Sequence, residues 1–289
     1  MRVTGIAAKI AQKLGFESDS IEYAKQHTQL RRTFQRQYIT ATGRMASDTQ
    51  TAYTLAFQYE LFEPSHLVGA TKRLVELVTR SHFRISTGFA GTPGILHVLT
   101  QTGQLQLAYR MLQEKGCPSW LYPVTMGATT IWERWDSLLP DGSINVSTRT
   151  EEKAKLQPGE MTSFNHYALG AVANWLHTTL GGLEVTDPGY SQFLVKPQPG
   201  GTVTSASVYT MTPSGRAAVS WVLKDTTLTV DIEVPPNTTA ILWLGSTKEK
   251  VGSGMYHRVV SYSTSTWPPP PYINPFIVEG QAVPNTIAE

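Results

Sequence analysis

Apolar residues in the first two thirds of the chain, from residue 4 to about 181, recur at intervals of three and four positions. This spacing is typical of amphipathic helices, and Gly, Pro, Ser and Asp divide it into segments. Ile6, Ile10 and Leu14 form one stripe, which stops at Gly15. Asp48 is expected to cap a later helix, because its carboxylate can accept the free amide protons of a first turn. Serial helical segments predict stacked helix pairs, either a bundle or a toroid.

The same spacing predicts further helices, with boundaries set by Pro and Gly. They are a long second helix that contains Ile21 and Tyr38, one that contains Leu67, Leu74 and Val78, one opened by Pro93, one over 104–115, and a last helix over 163–180.

Short β-rich runs replace the helical pattern after Pro188-Gly189. Leu228, Val230 and Ile232 alternate with polar residues, so one face of that strand is expected to meet water. Antiparallel pairing and a β-sandwich follow from this pattern. The predicted strands are 193–195, 206–209, 217–223, 228–234 and 240–244.

The predicted fold class is therefore α+β and multidomain. A helical domain is predicted over 1–185, an antiparallel β-sandwich over 186–262, and a tail rich in Pro, Ser and Thr over 263–289. Trp267 precedes four prolines, which cannot donate hydrogen bonds inside a sheet. We expect the tail to be disordered or an extended arm.

Composition adds limits on partners and on covalent cross-links. The 289 residues are 40% hydrophobic and 16% charged, which indicates a folded protein, and 24 basic against 22 acidic residues give a net charge of +2. This balance predicts a neutral partner, with no nucleic acid and no membrane surface. Cys117 is the single cysteine, which excludes an intramolecular disulfide. No signal peptide or membrane span is recognised, and the localisation stays open.

Two segments combine aromatic and polar residues in the way that a sugar site requires, since pyranose rings stack on indoles while their hydroxyls need polar partners. The first runs from Trp120 to Asp136, and the second places Asn165 and His166 before an apolar run. A core loop with buried tryptophans is the alternative for the first segment. A surface or core histidine is the alternative for His166.

Together with two further runs, these segments resemble the α-L-rhamnosidases of glycoside hydrolase family 78. The resemblance covers about residues 1–258, as in a C-terminal portion of such an enzyme. The runs that carry it are Ser-Thr-Gly-Phe-Ala-Gly-Thr at 86–92, Pro-Ser-Trp-Leu-Tyr-Pro at 118–123, Gly127 to Asp136 with its Trp-Glu-Arg-Trp, and 163–172.

The resemblance implies an (α/α)6 six-hairpin toroid, here incomplete, followed by a C-terminal β domain. It also implies hydrolysis of terminal α-L-rhamnosides with inversion, by one carboxylic acid and one carboxylate base. Glu133 matches the general base, and His166 matches the histidine that contacts a sugar hydroxyl. Trp132 and Trp135 are candidate pocket walls or core residues. Weaker candidates are Asp136, Asn165 and Tyr122.

The sequence departs from the family in two places. The acidic motif that carries the family's general acid is absent, and Glu22, Glu60, Glu63 and Glu76 lie on ordinary helical patterns. We therefore assign the acid role to none of them and expect the chain alone to be inactive. A charged stretch at 146–157 is interpreted as an insertion, either a variable surface loop or a retained intron.

Three functions remain open at this point. The first is an α-L-rhamnosidase fragment that carries the base but not the acid. The second is a non-catalytic remnant or carbohydrate-binding module with half a sugar pocket. A different enzyme on the same toroid is disfavoured, because fold alone does not define function. No metal-ligand spacing or phosphate-binding glycine loop occurs, so no metal or cofactor is predicted.

Overall fold

The computed structural model describes residues 1–145 and 163–273, and it contains a helical part followed by two β-sheets. The predicted insertion at 146–157 lies outside the described residues, as does the tail from 274 onward. Within the described residues, no helix combines the length and apolar character needed to cross a membrane. The helices are α1 Arg2–Lys13, α2 Glu17–Tyr38, α3 Gln50–Gln58, α4 Leu67–Arg80, α5 Thr92–Gln101, α6 Leu105–Leu112, α7 Leu121–Thr125 and α8 Val172–Trp175.

The helical core is formed by apolar side chains that project from one face each of α3, α4, α5 and α6. Short links connect α1 to α2 and α5 to α6, so that consecutive helices lie against each other. Tyr53, Leu74, Leu99, Tyr109 and Trp175 are all fully buried. Burial of such side chains stabilises a fold by about 1.5–3 kcal/mol each, so this cluster supplies much of the stability of the helical part.

Two local predictions for the helices are wrong. The cap of α3 is Thr49, whose hydroxyl accepts the amide proton of Ala52, and not Asp48. Asp48 instead accepts hydrogen bonds from Arg73, and this contact lowers the pKa of its carboxyl group. The predicted helix before Gly15 is present as α1, and its residues Ile6, Ile10 and Leu14 are 47%, 54% and 65% exposed. Helix α6 is shorter than the predicted 104–115.

The last helical segment begins at Ala168 and not near residue 163. It consists of a 3-10 turn at Ala168–Ala171, α8, and a π-helical stretch at Leu176–Leu180. Residues 163–167 are not helical because the backbone groups of Ser163 and His166 bond to another part of the chain. Gly182, with φ +81, turns the chain toward the first strand.

The β part contains two four-stranded sheets that enclose a second apolar core, as the sequence predicted. One sheet has the order β1-β2-β6-β7 and the other β3-β4-β5-β8. Neighbouring strands are antiparallel except for β2 and β6, which pair in parallel. The strands are β1 Leu183–Val185, β2 Gln192–Val195, β3 Ser205–Thr212, β4 Gly215–Lys224, β5 Thr227–Val234, β6 Thr239–Leu244, β7 Thr247–Val251 and β8 Gly254–Ser261.

Hydrogen bonds join the sheets to the helices. The Tyr109 hydroxyl donates to the carbonyl of Gln198 at 2.7 Å, and the Trp221 indole donates to the carbonyl of Leu180 at 2.8 Å. The second bond satisfies a carbonyl in the last helical turn, which has no partner within the helix. Beyond β8 the chain has no regular secondary structure up to residue 273, and Trp267 packs against the helical core.

Replacing Tyr109 with Phe tests the contact between the two parts. The change removes the hydroxyl and leaves the Gln198 carbonyl without its donor, so we expect the free energy of unfolding to fall by about 1–3 kcal/mol. Chemical denaturation measures the effect. The matched control is Tyr209→Phe on the exposed face of β3, where a change within about 0.5 kcal/mol is expected. Equal stability of the two variants would contradict the assigned contact.

Candidate functional site

The aromatic segment that begins at Trp120 is held against the last helical segment. The Trp120 indole donates to the carbonyl of Leu169 at 3.0 Å, and its ring meets the Trp135 ring edge-on at 5.7 Å between centroids. The hydroxyl of Ser119, which is fully buried, accepts the amide proton of Tyr122 in the first turn of α7. The indole nitrogen of Trp120 and the hydroxyl of Ser119 thus stabilise the fold of this segment.

Two backbone segments, 130–133 and 163–166, lie side by side and carry the predicted catalytic and binding residues. The Glu133 amide donates to the Ser163 carbonyl at 2.9 Å, and the His166 amide donates to the Ile131 carbonyl at 2.7 Å. The Thr130 hydroxyl also donates to the carbonyl of Phe164. The structure therefore brings the segments of Glu133 and His166 together, although they are distant in sequence.

The side chain of Glu133 is half-buried and is oriented by the opposite segment. Its Oε2 accepts the amide proton of Ser163 at 3.1 Å. Glu133 and Ser163 are thus joined by two hydrogen bonds, one between backbone groups and one to the Glu133 side chain. A carboxylate held in this way keeps a defined direction, while its other oxygen accepts no hydrogen bond from the described residues.

His166 is stacked between two aromatic rings. Phe89 lies at 5.0 Å with an interplanar angle of 13°, and Tyr167 lies at 5.2 Å with an angle of 7°. The Nδ1 atom of His166 accepts the amide proton of Ala168 at 3.3 Å. In a neutral imidazole one nitrogen accepts and the other donates, so in that form of His166 the proton lies on Nε2.

Trp132 and Trp135 line a small cavity of about 240 Å³. Trp132 is only 5% exposed and meets Phe164 edge-on, whereas Trp135 is half-buried. Ile131 and Leu169 complete the apolar wall. Neither Glu133 nor His166 lines this cavity.

The weaker candidates have partners of their own. Asp136 accepts hydrogen bonds from Arg134 and from the Asn145 side chain, the latter at 2.6 Å. The Tyr122 hydroxyl donates to the carbonyl of Leu138 at 2.8 Å. Asn165 is exposed, and its amide donates to the Ser163 hydroxyl. The Asp136 and Tyr122 contacts stabilise the loop around the site.

Sequence reasoning did not assign Phe89 or Ser163 to the site. Phe89 belongs to the 86–92 run, and its exposure of 47% at a loop before α5 is unusual for phenylalanine. That run was the signal that could have found it. Ser163 contacts Glu133 through its backbone amide, which every residue but proline has, so its side-chain type offered no signal.

Cys117 lies beside this site and is half-buried. Burial, reinforced by the negative charge of Asp136, raises the pKa of its thiol to about 11. A thiol in this state is protonated at neutral pH and is a poor nucleophile. Among residues 1–145 and 163–273, no group of three or more His, Cys, Asp or Glu side chains has a metal-binding arrangement.

Comparison with known proteins gives the family of this chain. The sequence model of the bacterial alpha-L-rhamnosidase 6 hairpin glycosidase domain matches residues 1–180, and that of the bacterial alpha-L-rhamnosidase C-terminal domain matches residues 182–257. The fold described above, with helical hairpins before a β domain, is that of a six-hairpin glycosidase. The chain belongs to the bacterial alpha-L-rhamnosidase family.

Individual relatives agree with this assignment. An alpha-L-rhamnosidase of Streptomyces avermitilis is 39% identical over 83% of this chain, which spans 22% of that protein. The crystal structure of an Aspergillus terreus enzyme of this name superposes with a TM-score of 0.81 at 40% identity, over 89% of this chain and 29% of its own. The Streptomyces avermitilis enzyme complexed with L-rhamnose gives a TM-score of 0.80 at 35% identity, over 89% of this chain and 26% of its own.

The tautomer of His166 is directly testable. Because Nδ1 accepts the amide proton of Ala168, we expect the neutral ring to carry its proton on Nε2. Long-range proton–nitrogen NMR distinguishes the two tautomers, and His166→Ala identifies the resonance. A proton on Nδ1 would contradict the hydrogen bond to Ala168 and the donor role assigned to Nε2.

The reactivity of Cys117 gives a second test. The thiolate form should appear only as the pH approaches about 11, so alkylation at pH 8 should be much slower than that of a small free thiol. The rate of reaction with iodoacetamide, followed against pH by mass spectrometry, gives the midpoint. Denaturant is the control, since it removes the burial and should lower the midpoint. An unchanged midpoint on unfolding would refute the burial effect.

Proposed function

We propose that this chain supplies the base-carrying side of an α-L-rhamnoside site in an inverting glycoside hydrolase. The chain spans 22% of the curated relative from Streptomyces avermitilis, so the activity of the whole protein is part of the proposal. The observation that carries it is the pairing of the Glu133 segment with the His166 segment, with Ser163 holding the Glu133 carboxylate. The bound ligand of the Streptomyces avermitilis structure, L-rhamnose, supports the substrate class.

Glu133 is proposed as the general base. Its carboxylate takes a proton from a water molecule while the water oxygen attacks the anomeric carbon of the rhamnose. The bond from that carbon to the leaving oxygen breaks on the opposite face, and the configuration is inverted. The bond from the Ser163 amide to Oε2 supports this role, because it orients the carboxylate and leaves Oε1 to face the water.

His166, Trp132 and Trp135 are proposed to bind the sugar. The Nε2 proton of His166 is the donor to a rhamnose hydroxyl, and the stack with Phe89 and Tyr167 restrains the ring. The indoles of Trp132 and Trp135 supply apolar surface for the C–H face of the sugar, next to a cavity of about 240 Å³. Substrate and partner are thus a neutral α-L-rhamnoside.

The general acid is proposed to come from a residue that this chain does not supply. Glu76 is paired with Arg73 and Arg80, which keep its carboxyl ionised by lowering its pKa. Glu22 accepts a hydrogen bond from Gln26, one turn further along α2. An inverting site needs its acid about 6.5–9.5 Å from the base, with the attacking water between them.

The chain alone should bind L-rhamnose but not hydrolyse rhamnosides. Loss of general-acid assistance typically costs about 10²–10⁴ in rate, so we expect no useful release of nitrophenol from an aryl α-L-rhamnoside. L-Rhamnose binding, measured by ligand-observed NMR, should weaken about five- to tenfold in His166→Ala, which loses one donor. The control is His257→Ala, on the exposed edge of β8.

These results separate the two functions that remain. Rapid nitrophenol release by the chain alone would contradict the proposal that its acid lies elsewhere. Binding that responds to His166→Ala without any turnover, even when the rest of the family's domains is supplied, would favour a carbohydrate-binding module. Binding that responds equally to His257→Ala would refute the role of His166.

Glu133→Gln tests the base in a protein that also supplies the acid. The amide keeps the size of the side chain but cannot take a proton from water, so we expect turnover to be abolished while rhamnose binding is largely kept. Azide should restore turnover, because this anion attacks the anomeric carbon without a base and forms a glycosyl azide of inverted configuration. Near-normal turnover of Glu133→Gln would make Glu133 a structural carboxylate.

A further inference from the structure

A second, larger cleft of about 800 Å³ lies between the helices and the first sheet. Its helical wall comes from α3, α5 and the segment around α8, and its other wall comes from β1 and the turn before β2. Strand β1 is at the edge of its sheet, so the cleft follows a free sheet edge. Pockets that bind small molecules commonly occur at domain interfaces and have volumes of about 300–1,000 Å³.

The helical wall carries hydrogen-bonding groups that are neutral at pH 7. His97 and Gln101 lie four residues apart on α5, and therefore on the same face, while Asn174 and His177 face them from the last helical segment. Burial lowers the pKa of His97 and of His177, and for His97 a hydrogen bond that the ring donates to the Asn174 side chain partly opposes the effect. A neutral imidazole offers one donor and one acceptor, as a hydroxyl group requires.

The sheet wall adds apolar surface and a few charges. Tyr190 supplies a ring on this side, beside the aliphatic side chain of Leu194. The Lys196 ammonium lies 3.9 Å from the centroid of the Trp243 ring, which restrains that lysine. Glu60 and Glu184 also line the cleft, so its carboxylates outnumber its lysine and disfavour an anionic ligand.

From this combination we propose that the cleft is a second saccharide site, which binds a neutral oligosaccharide of two or three sugar units. The amides and imidazoles on the helical wall form hydrogen bonds with the sugar hydroxyls, and the Tyr190 ring packs against a C–H face of a sugar ring. The cavity is more than three times as large as the one beside Trp132, about 800 Å³ against about 240 Å³. That volume accommodates more than one sugar ring.

This site is separate from the Glu133 segment. None of Glu133, His166, Trp132 and Trp135 lines the cleft. The cleft would therefore hold a saccharide whether or not Glu133 acts as a base.

The test is binding of the neutral disaccharide cellobiose, which carries no rhamnose for the Glu133 segment, to the chain itself, titrated by saturation-transfer NMR. Gln101→Ala and His177→Ala should each weaken binding about five- to tenfold, since each removes one hydrogen-bonding partner. Gln37→Ala is the matched control for Gln101→Ala, because both glutamines are exposed in the last turn of a helix and Gln37 does not line the cleft. Thermal unfolding confirms that each variant is folded.

A disaccharide of the same size in which one sugar is a uronic acid should bind more weakly than the neutral one, because of Glu60 and Glu184. Saturable binding of the neutral disaccharide that is weakened by both cleft variants, and not by Gln37→Ala, supports the proposal. It is overturned if the neutral disaccharide does not bind at millimolar concentrations, or if Gln101→Ala and His177→Ala leave its affinity unchanged. Tighter binding of the acidic disaccharide would overturn the choice of a neutral ligand.

Discussion

The candidate site depends on the pairing of two irregular backbone segments, 130–133 and 163–166. Neither segment belongs to a helix or a sheet, so its amide and carbonyl groups need partners elsewhere. They find them in each other, through the bonds from Glu133 to Ser163 and from His166 to Ile131. These hydrogen bonds hold 163–166 against 130–133, so the last helical segment begins only at Ala168. Glu133 and His166 therefore lie on neighbouring backbone segments.

Much of the architecture could be predicted from periodicity. The alternation of Leu228, Val230 and Ile232 matches β5, and the stretch after Pro93 matches α5. Strands β1, β7 and β8 were not predicted. Strand β7 is an edge strand with the sequence Thr-Lys-Glu-Lys-Val, in which apolar residues do not alternate with polar ones. It can be recognised only from its pairing with β6 in the structure.

The site shows the same division between local and distant information. The Trp-Glu-Arg-Trp run and His166 were proposed for the site from the sequence, because their residue types and order resemble the family. The stack of Phe89 on His166 could not be predicted, since it joins a loop before α5 to a segment after α7. Likewise, Asp48 bonds to Arg73 and not to the free amides of the first turn of α3, because α4 lies against α3 and brings Arg73 within reach.

The contacts between the helices and the sheets limit which β part can be joined to the helices of this chain. The stretch before β3 lies so close to α6 that a side chain on Gly200 would meet the Tyr109 ring at 2.4 Å. The amide of Gly201 donates to the Gln106 side chain, and Gln113 bonds Thr202. A recombined protein with a foreign β domain would leave these glutamines and Tyr109 facing a mismatched surface. A β part joined to these helices must therefore carry glycine at the position of Gly200, or α6 must change with it.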